Sequence, residues 1–292
     1  MTWQLSITGL LIGALVGLTG MGGGSLMTPI LILFFGFQPT LAVGTDILHG
    51  AVFKSFGAVR HRKLGTVHAR ITFWMFLASA PMSLLGVEVA TQIENQYGDG
   101  VGDAMAKVIG AALILGGLGF LAKTFIKRGV QPSDAPFLLA NRDRVFCVAL
   151  GASGGFIVGL TSVGSGTFFG LVMLLVFPLT AAKIVGTDIF HAAALLWVAG
   201  ISHLVHGNVD LGAMGWLLLG SIPGILFASK LTVRVPEGAL RVGLGTVLLA
   251  SGVRLIEFPG YGVLVPVILV LGAIAAGLTE FRRLNARAVA AS

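Results

Sequence analysis

One segment of this chain occurs twice, and that repetition constrains the fold more than any other feature. Gly17-Leu18-Thr19-Gly20-Met21-Gly22-Gly23-Gly24 returns as Gly159-Leu160-Thr161-Ser162-Val163-Gly164-Ser165-Gly166. Gly44-Thr45-Asp46-Ile47-Leu48-His49 returns as Gly186-Thr187-Asp188-Ile189-Phe190-His191. His61, Gly65, Trp74, Ser79 and Pro81 match His203, Gly207, Trp216, Ser221 and Pro223. Each pair is 142 residues apart, without a gap, and 21 of the 65 positions from Gly17 to Pro81 are identical to their counterparts. The chain is an internal duplication, so both halves should fold alike.

Both halves belong in a membrane. Of 292 residues, 55% are hydrophobic and 11% charged, with a mean hydropathy of +0.95. A soluble domain carries about 25% charged residues, so this chain lacks the charge to coat a water-facing surface. Its net charge of +7 does not indicate a nucleic-acid partner, because the basic residues sit in short loops between apolar spans. The first apolar run has neither a basic leader nor a small-residue cleavage site, and it reads as a retained membrane segment. Apolar segments fall at about 5–20, 25–36, 40–59, 71–90, 104–126, 145–161, 167–178, 182–202, 212–229, 240–256 and 262–280. A spanning helix needs roughly 20 apolar residues, and the segments flanking each glycine-rich turn include members too short for that.

The distribution of Lys and Arg sets the orientation. Arg60, Arg62, Lys63 and Arg70 follow one span, Lys127, Arg128, Arg142 and Arg144 another, and Lys230, Arg234 and Arg241 a third; Arg282, Arg283 and Arg287 close the chain. The positive-inside rule puts these four regions in the cytoplasm. All four lie there together only if each glycine-split pair enters and leaves on one face, as a hairpin that is either re-entrant or made of two broken helices. The basic loop at 60–70 is then inside while its counterpart at 202–212 is outside, so the two repeats are inverted. The expected fold is an all-α polytopic membrane protein with two inverted-topology repeats, 1–130 and 145–258. A cytoplasmic linker, 131–144, joins them, and an extra transmembrane helix with a basic cytoplasmic tail follows at 259–292. The N-terminus is expected outside and the C-terminus inside.

Inverted repeats are the architecture of many secondary transporters, with a site near the midplane where discontinuous helices meet. Irregular backbone at membrane depth must be buried in protein or line a wet cavity. The glycine turns are therefore expected to form an anion site, from Gly20, Gly22, Gly23, Gly24 and Ser25 in one repeat and Gly164, Ser165, Gly166 and Thr167 in the other. Ser25 and Thr167 would cap half-helices whose free N–H groups and dipole favour a negative ligand. Thr28, Thr45 and Thr187 would add hydroxyl donors. Asp46 with His49, and Asp188 with His191, each share a helix face at i, i+3. Ionisable groups at such depth are costly and functional by default, and histidine titrates near neutral pH, so these four are expected to gate or to carry coupling protons. Lys54, matched by Leu196, is expected to snorkel towards the headgroups, with a substrate-facing cation as the alternative. His61 and His203 are expected to tie loops to helix ends.

These residues also carry a resemblance. Gly20 to Gly24 followed by Pro29, the Val43-Gly44-Thr45-Asp46 element, and the His61…Gly65-Thr66-Val67 loop with its copy His203…Gly207-Asn208-Val209-Asp210 resemble the sulfite exporter TauE/SafE family. The resemblance implies a bacterial inner-membrane secondary carrier of sulfur-containing anions such as sulfite, sulfoacetate or related sulfonates, coupled to protons and working as an exporter. The halves are unequal, since Ser165 replaces Gly23, Leu171 replaces Pro29 and His68 stands where Asp210 stands in the second copy. The reading is thus a carrier and not an enzyme, with a small anion, protons and the bilayer as partners, and no nucleic acid, cofactor or metal. Alternatives are a carrier for a non-sulfur organic anion, an anion channel, or an intramembrane enzyme built on the Asp and His pairs. Oligomeric state is not readable.

Overall fold

The computed structural model describes residues 2–19, 26–97, 101–125, 137–164, 166, 168–228 and 237–291. Among these, eleven helices and no strand are formed. The first half contributes α1 (Thr2–Thr19), α2 (Met27–Phe35), α3 (Pro39–Lys63), α4 (Ala69–Tyr97) and α5 (Val101–Phe125). The second contributes α6 (Asn141–Thr161), α7 (Phe168–Val176), α8 (Ala181–Val205), α9 (Leu211–Ala228) and α10 (Glu237–Leu255), and α11 (Tyr261–Ala291) follows. Each expected apolar segment became one helix.

Among the described residues, six helices are long and apolar enough to cross a membrane: α4, α5, α6, α8, α9 and α11. The nine residues of α2 and of α7 would each rise only about 14 Å. Helix α3 falls outside the six although it is 25 residues long. It can carry Asp46, His49 and Lys54 because these side chains are buried in protein and not presented to lipid.

Packing follows the duplication. Helix α1 lies along α9 and α4 along α6, which is the same pairing with the halves exchanged; α3 lies along α8 and α5 along α10. Helix α11 packs on α10, and its apolar span is otherwise uncovered. The α3–α8 pair is antiparallel: Trp197 Nε1 donates to Ser55 Oγ at 2.9 Å, and the Arg62 guanidinium lies 5.9 Å from the Phe190 ring centre. The segment after α3 therefore meets the start of α8, and the segment after α8 meets the start of α3.

Two sequence expectations are corrected here. Lys54 does not snorkel; it is 3% exposed, because its face of α3 is turned into the protein. The N-cap of α2 is Leu26, without a side-chain cap bond, and not Ser25, which lies outside the described residues. Pro29 in the first turn of α2 has no N–H to satisfy, which lessens the need for a cap.

Candidate functional site

The polar residues of α3 and α8 sit in a closed interior. Asp46 is 1% exposed, Asp188 2%, and His49 and His191 0%. A hydrogen bond from each His crosses to the other half: His49 Nε2 and Ser221 Oγ share a bond of 2.9 Å, and His191 Nε2 and Ser79 Oγ share one of 2.9 Å. These two bonds exchange under the 142-residue shift. The other ring nitrogen of each histidine, Nδ1, is buried without a hydrogen-bond partner. An aromatic ring lies beside each imidazole, Phe53 at 5.0 Å from His49 and Phe169 at 4.6 Å from His191. Replacing Ser221 with alanine would leave His49 Nε2 buried and unpaired. The cost is expected at about 1–3 kcal/mol, read as a lowered Tm of the purified protein, with a parallel loss for Ser79→Ala.

A second exchanged set closes the two ends of the α3–α8 pair. At one end the Asp210 N–H donates to Thr45 Oγ1 at 2.9 Å. At the other the His68 N–H donates to Thr187 Oγ1 at 2.9 Å, and the Thr187 hydroxyl donates to Lys183 O at 2.6 Å. Each post-helix loop thus clasps the opposite half's central helix. The clasp at 206–210 is reinforced by Asn208 Nδ2 donating to Thr91 Oγ1 at 2.8 Å and by His203 Nε2 donating to Gly159 O at 3.0 Å. The clasp at 64–68 is tied by His68 Nε2 donating to Phe137 O at 3.1 Å, and by a 2.9 Å bond between His61 Nδ1 and Thr66 Oγ1. His61 therefore fastens the loop after α3 to its helix, as expected, whereas the His203 side chain ties α8 to α6 and holds no loop.

Asp46 is held by hydroxyls from both halves of the chain. Its Oδ2 accepts from the Thr28 hydroxyl at 2.6 Å and from the Ser162 hydroxyl at 2.8 Å. The Thr28 backbone N–H faces the same carboxylate. The Thr28 and Ser162 positions correspond to Gly170 and Gly20 in the other repeat, so the duplication does not supply counterparts of these two hydroxyls. Lys54 lies within Coulombic reach of Asp188 and of Asp46, so one buried ammonium serves carboxylates from both repeats.

The structure brings Thr28 to Asp46 and commits Thr45 and Thr187 to the clasps. In the second glycine turn, Gly164 (φ 119°) and Gly166 (φ 105°) adopt conformations that side chains disfavour. Gly20, Gly22, Gly23, Gly24, Ser25, Ser165 and Thr167 lie outside the described residues. Ser162, Ser79 and Ser221 were not selected from sequence. The last two carried a signal in recurring at the repeat spacing, and Ser162 carried one in replacing a glycine at a turn. Among the described residues, no group of three or more His, Cys, Asp or Glu side chains could hold a metal ion. An apolar cleft of about 480 Å³, lined by Ser55, Arg62, Phe190 and Trp197, opens on the flank of α3 and α8 and includes none of the site residues.

Comparison with known proteins follows the same residues. The family model described as "Sulfite exporter TauE/SafE" matches residues 5–255. The chain belongs to the TauE/SafE family. It is 35% identical over 256 residues to "Probable membrane transporter protein YjnA" of Bacillus subtilis, covering 88% of this chain and 100% of that one. "Probable membrane transporter protein YdhB" of the same organism is 24% identical, covering 79% and 90% respectively. "Sulfite exporter TauE/SafE family protein 1" of Arabidopsis thaliana is 33% identical over 95 residues, covering 32% of this chain and 21% of that protein. No solved structure matches the chain. This TauE/SafE protein is a multi-pass membrane transporter, and the closed polar interior between α3 and α8 is its candidate site.

Proposed function

We propose that this chain is a secondary transporter that moves small sulfur-containing anions (sulfite, sulfoacetate or a related organosulfonate) across a bacterial inner membrane. It works by alternating access, coupled to protons and in the export direction, with the N-terminus outside and the C-terminus in the cytoplasm. The repeats, 1–130 and 145–258, are inverted and meet at α3 and α8. The observation that carries this reading is the pair of exchanged clasps, Thr45 with Asp210 and Thr187 with His68, at opposite ends of one antiparallel helix pair. Two equivalent closures over one buried polar centre are what a carrier needs in order to open one end at a time. A channel would require a continuous wet path, whereas the polar groups here are shut from both ends.

In this reading the anion binds beside Lys54, with donors from Thr28, Ser162 and the glycine turns, including Gly22 to Ser25 and Gly164 to Thr167. Asp46, His49, Asp188 and His191 carry or gate protons, and the hydroxyls of Thr45 and Thr187 hold the clasps. The sulfur-anion assignment rests on the family description. It is tested by counterflow in proteoliposomes loaded with sulfite, thiosulfate, sulfoacetate, taurine or size-matched carboxylates. Saturable exchange of at least one sulfur oxyanion is expected. Exchange of carboxylates alone would overturn the substrate class, and non-saturating electrogenic flux would overturn the carrier.

A further inference from the structure

The anion-binding corner of this site already holds an anion, the carboxylate of Asp46. Thr28 supplies a hydroxyl, 2.6 Å from Asp46 Oδ2, and a facing backbone N–H. It lies in the first turn of α2, where free N–H groups and the helix dipole favour negative charge. Ser162, from the other half of the chain, supplies a second hydroxyl at 2.8 Å. The corner is shut from solvent, with Asp46, Thr28 and Ser162 at 1%, 0% and 3% exposure. Asp46 Oδ1 is buried there without a hydrogen-bond partner. A sulfonate or sulfite oxygen needs the same donors that Asp46 Oδ2 now occupies.

Ser162 is a residue whose hydroxyl has no counterpart in the other repeat. It holds a left-handed backbone, φ 62°, which a non-glycine residue adopts only at a cost and which clusters at functional sites. Its counterpart is Gly20, for which that conformation would be free of strain. The side chain kept at the strained position is the one whose hydroxyl reaches Asp46.

We propose that Asp46 is a tethered competitor of the transported anion: its carboxylate fills the donor set of Thr28 and Ser162 until a proton neutralises it and the substrate takes its place. The inference rests on the transporter reading above. One proton from bulk water bonds to a carboxylate oxygen of Asp46, removing one negative charge from the site, and one monovalent anion enters and restores it. The charge of the interior is the same before and after, so no second uncompensated charge is buried, which would cost several kcal/mol. The neutral acid also gains an O–H donor that can turn to the arriving anion. Of the charged groups, Lys54 on α3 lies within Coulombic reach of Asp46; the packed helices also carry His49 on α3 and Asp188, His191 and His203 on α8, and Asp210 follows α8 with its N–H on Thr45. Helix α2 and residues 160–164 contribute none.

The test is calorimetric titration of the purified full-length protein with thiosulfate, sulfoacetate, methanesulfonate and acetate, whose charges are constant between pH 6 and 9. Wild-type affinity is expected to fall with rising pH, by up to about tenfold per unit as one proton is linked to one anion. About one proton is taken up per monovalent anion, read from the dependence of binding heat on the buffer. Asp46→Asn keeps the shape without the charge. It is expected to bind at least tenfold more tightly than wild type at pH 9, with no pH slope and no proton uptake. Asp188→Asn is expected to alter affinity while the slope persists. Weaker binding by Asp46→Asn at every pH, or a retained slope, overturns the proposal. Should that variant fail to fold, wild-type binding without proton uptake overturns it instead, and uptake of about one proton together with weakened binding by Ser162→Gly supports it. Acetate binding alone with an Asp46-dependent slope would refute the sulfur-anion reading and leave the competitor standing. Sulfur-anion binding independent of pH would do the reverse, and binding of none of the four overturns both.

Discussion

Lys54→Gln is expected to remove anion binding from this transporter and to lower its stability. Lys54 is 3% exposed and is the ammonium within Coulombic reach of both Asp188 and Asp46. Truncating one partner of a buried charge set leaves the other charges uncompensated, at a cost of about 3–5 kcal/mol. Flux in proteoliposomes should fall below about a tenth of wild type, since about 1.4 kcal/mol is a factor of ten, and Tm should fall with it. Stability loss alone would not distinguish a substrate-binding cation from a structural ion pair. The double variant Lys54→Gln/Asp188→Asn does so, because it restores the charge balance without restoring an ammonium. Tm is expected to recover towards wild type while anion binding stays absent. If the double variant transports at the wild-type rate, Lys54 is a structural partner of Asp188 and does not meet the anion.

The fate of Lys54 shows where sequence reading stops. Its position late in α3, beside Arg60, Arg62 and Lys63, fits a side chain reaching for headgroups, and nothing local says which face of the helix meets α8. The eleven helices were legible because hydropathy runs and glycine breaks are local signals. The clasps were only half legible: the repeat marks Thr45 and Thr187 as a pair, but their partners, Asp210 and His68, lie 165 and 119 residues away. Threonine hydroxyls read as substrate donors are instead committed to backbone N–H groups of the opposite half. The hidden part of Asp46 was its environment. Its Asp-His spacing could be read directly, but the convergence of Thr28 and Ser162 depends on how the short helix α2 and the end of α6 meet α3.

The asymmetry of the halves has a physical use that the symmetric frame conceals. The cross-paired histidines and the clasps follow the repeat, and they belong to the closures. Three departures from it lie around the carboxylates: Lys54 against Leu196, Thr28 against Gly170, Ser162 against Gly20. A carrier needs two equivalent closures, but one substrate needs only one binding geometry. On the proposed reading, symmetry is kept at the two closures and relaxed around the anion.

Two glycines set how tightly each end can shut, and alanine at either should bias the transporter in opposite directions. A Cβ on Gly44 would run into the carbonyl oxygen of Asn208 and come within 3.0 Å of His203 Cβ. A Cβ on Gly186 would meet the Thr66 hydroxyl, with the Thr66 carbonyl oxygen 2.7 Å away. Overpacking of this kind costs about 1–3 kcal/mol, and the obstacle is backbone at one end of the helix pair, so the nearest relief is for that clasp to open. Gly44→Ala is expected to speed hydrogen exchange at the Asp210 amide, which donates to Thr45 in the closed form, while leaving the His68 amide protected. Gly186→Ala should expose the His68 amide and spare that of Asp210. Each variant should bind anion yet lose most net transport, by about tenfold or more if the opposed closure costs at least 1.4 kcal/mol, because one of the two closures is no longer reached. Equal acceleration at both amides in either variant would mean that the glycines merely pack the bundle. Unchanged transport would mean that these clasps are not the gates.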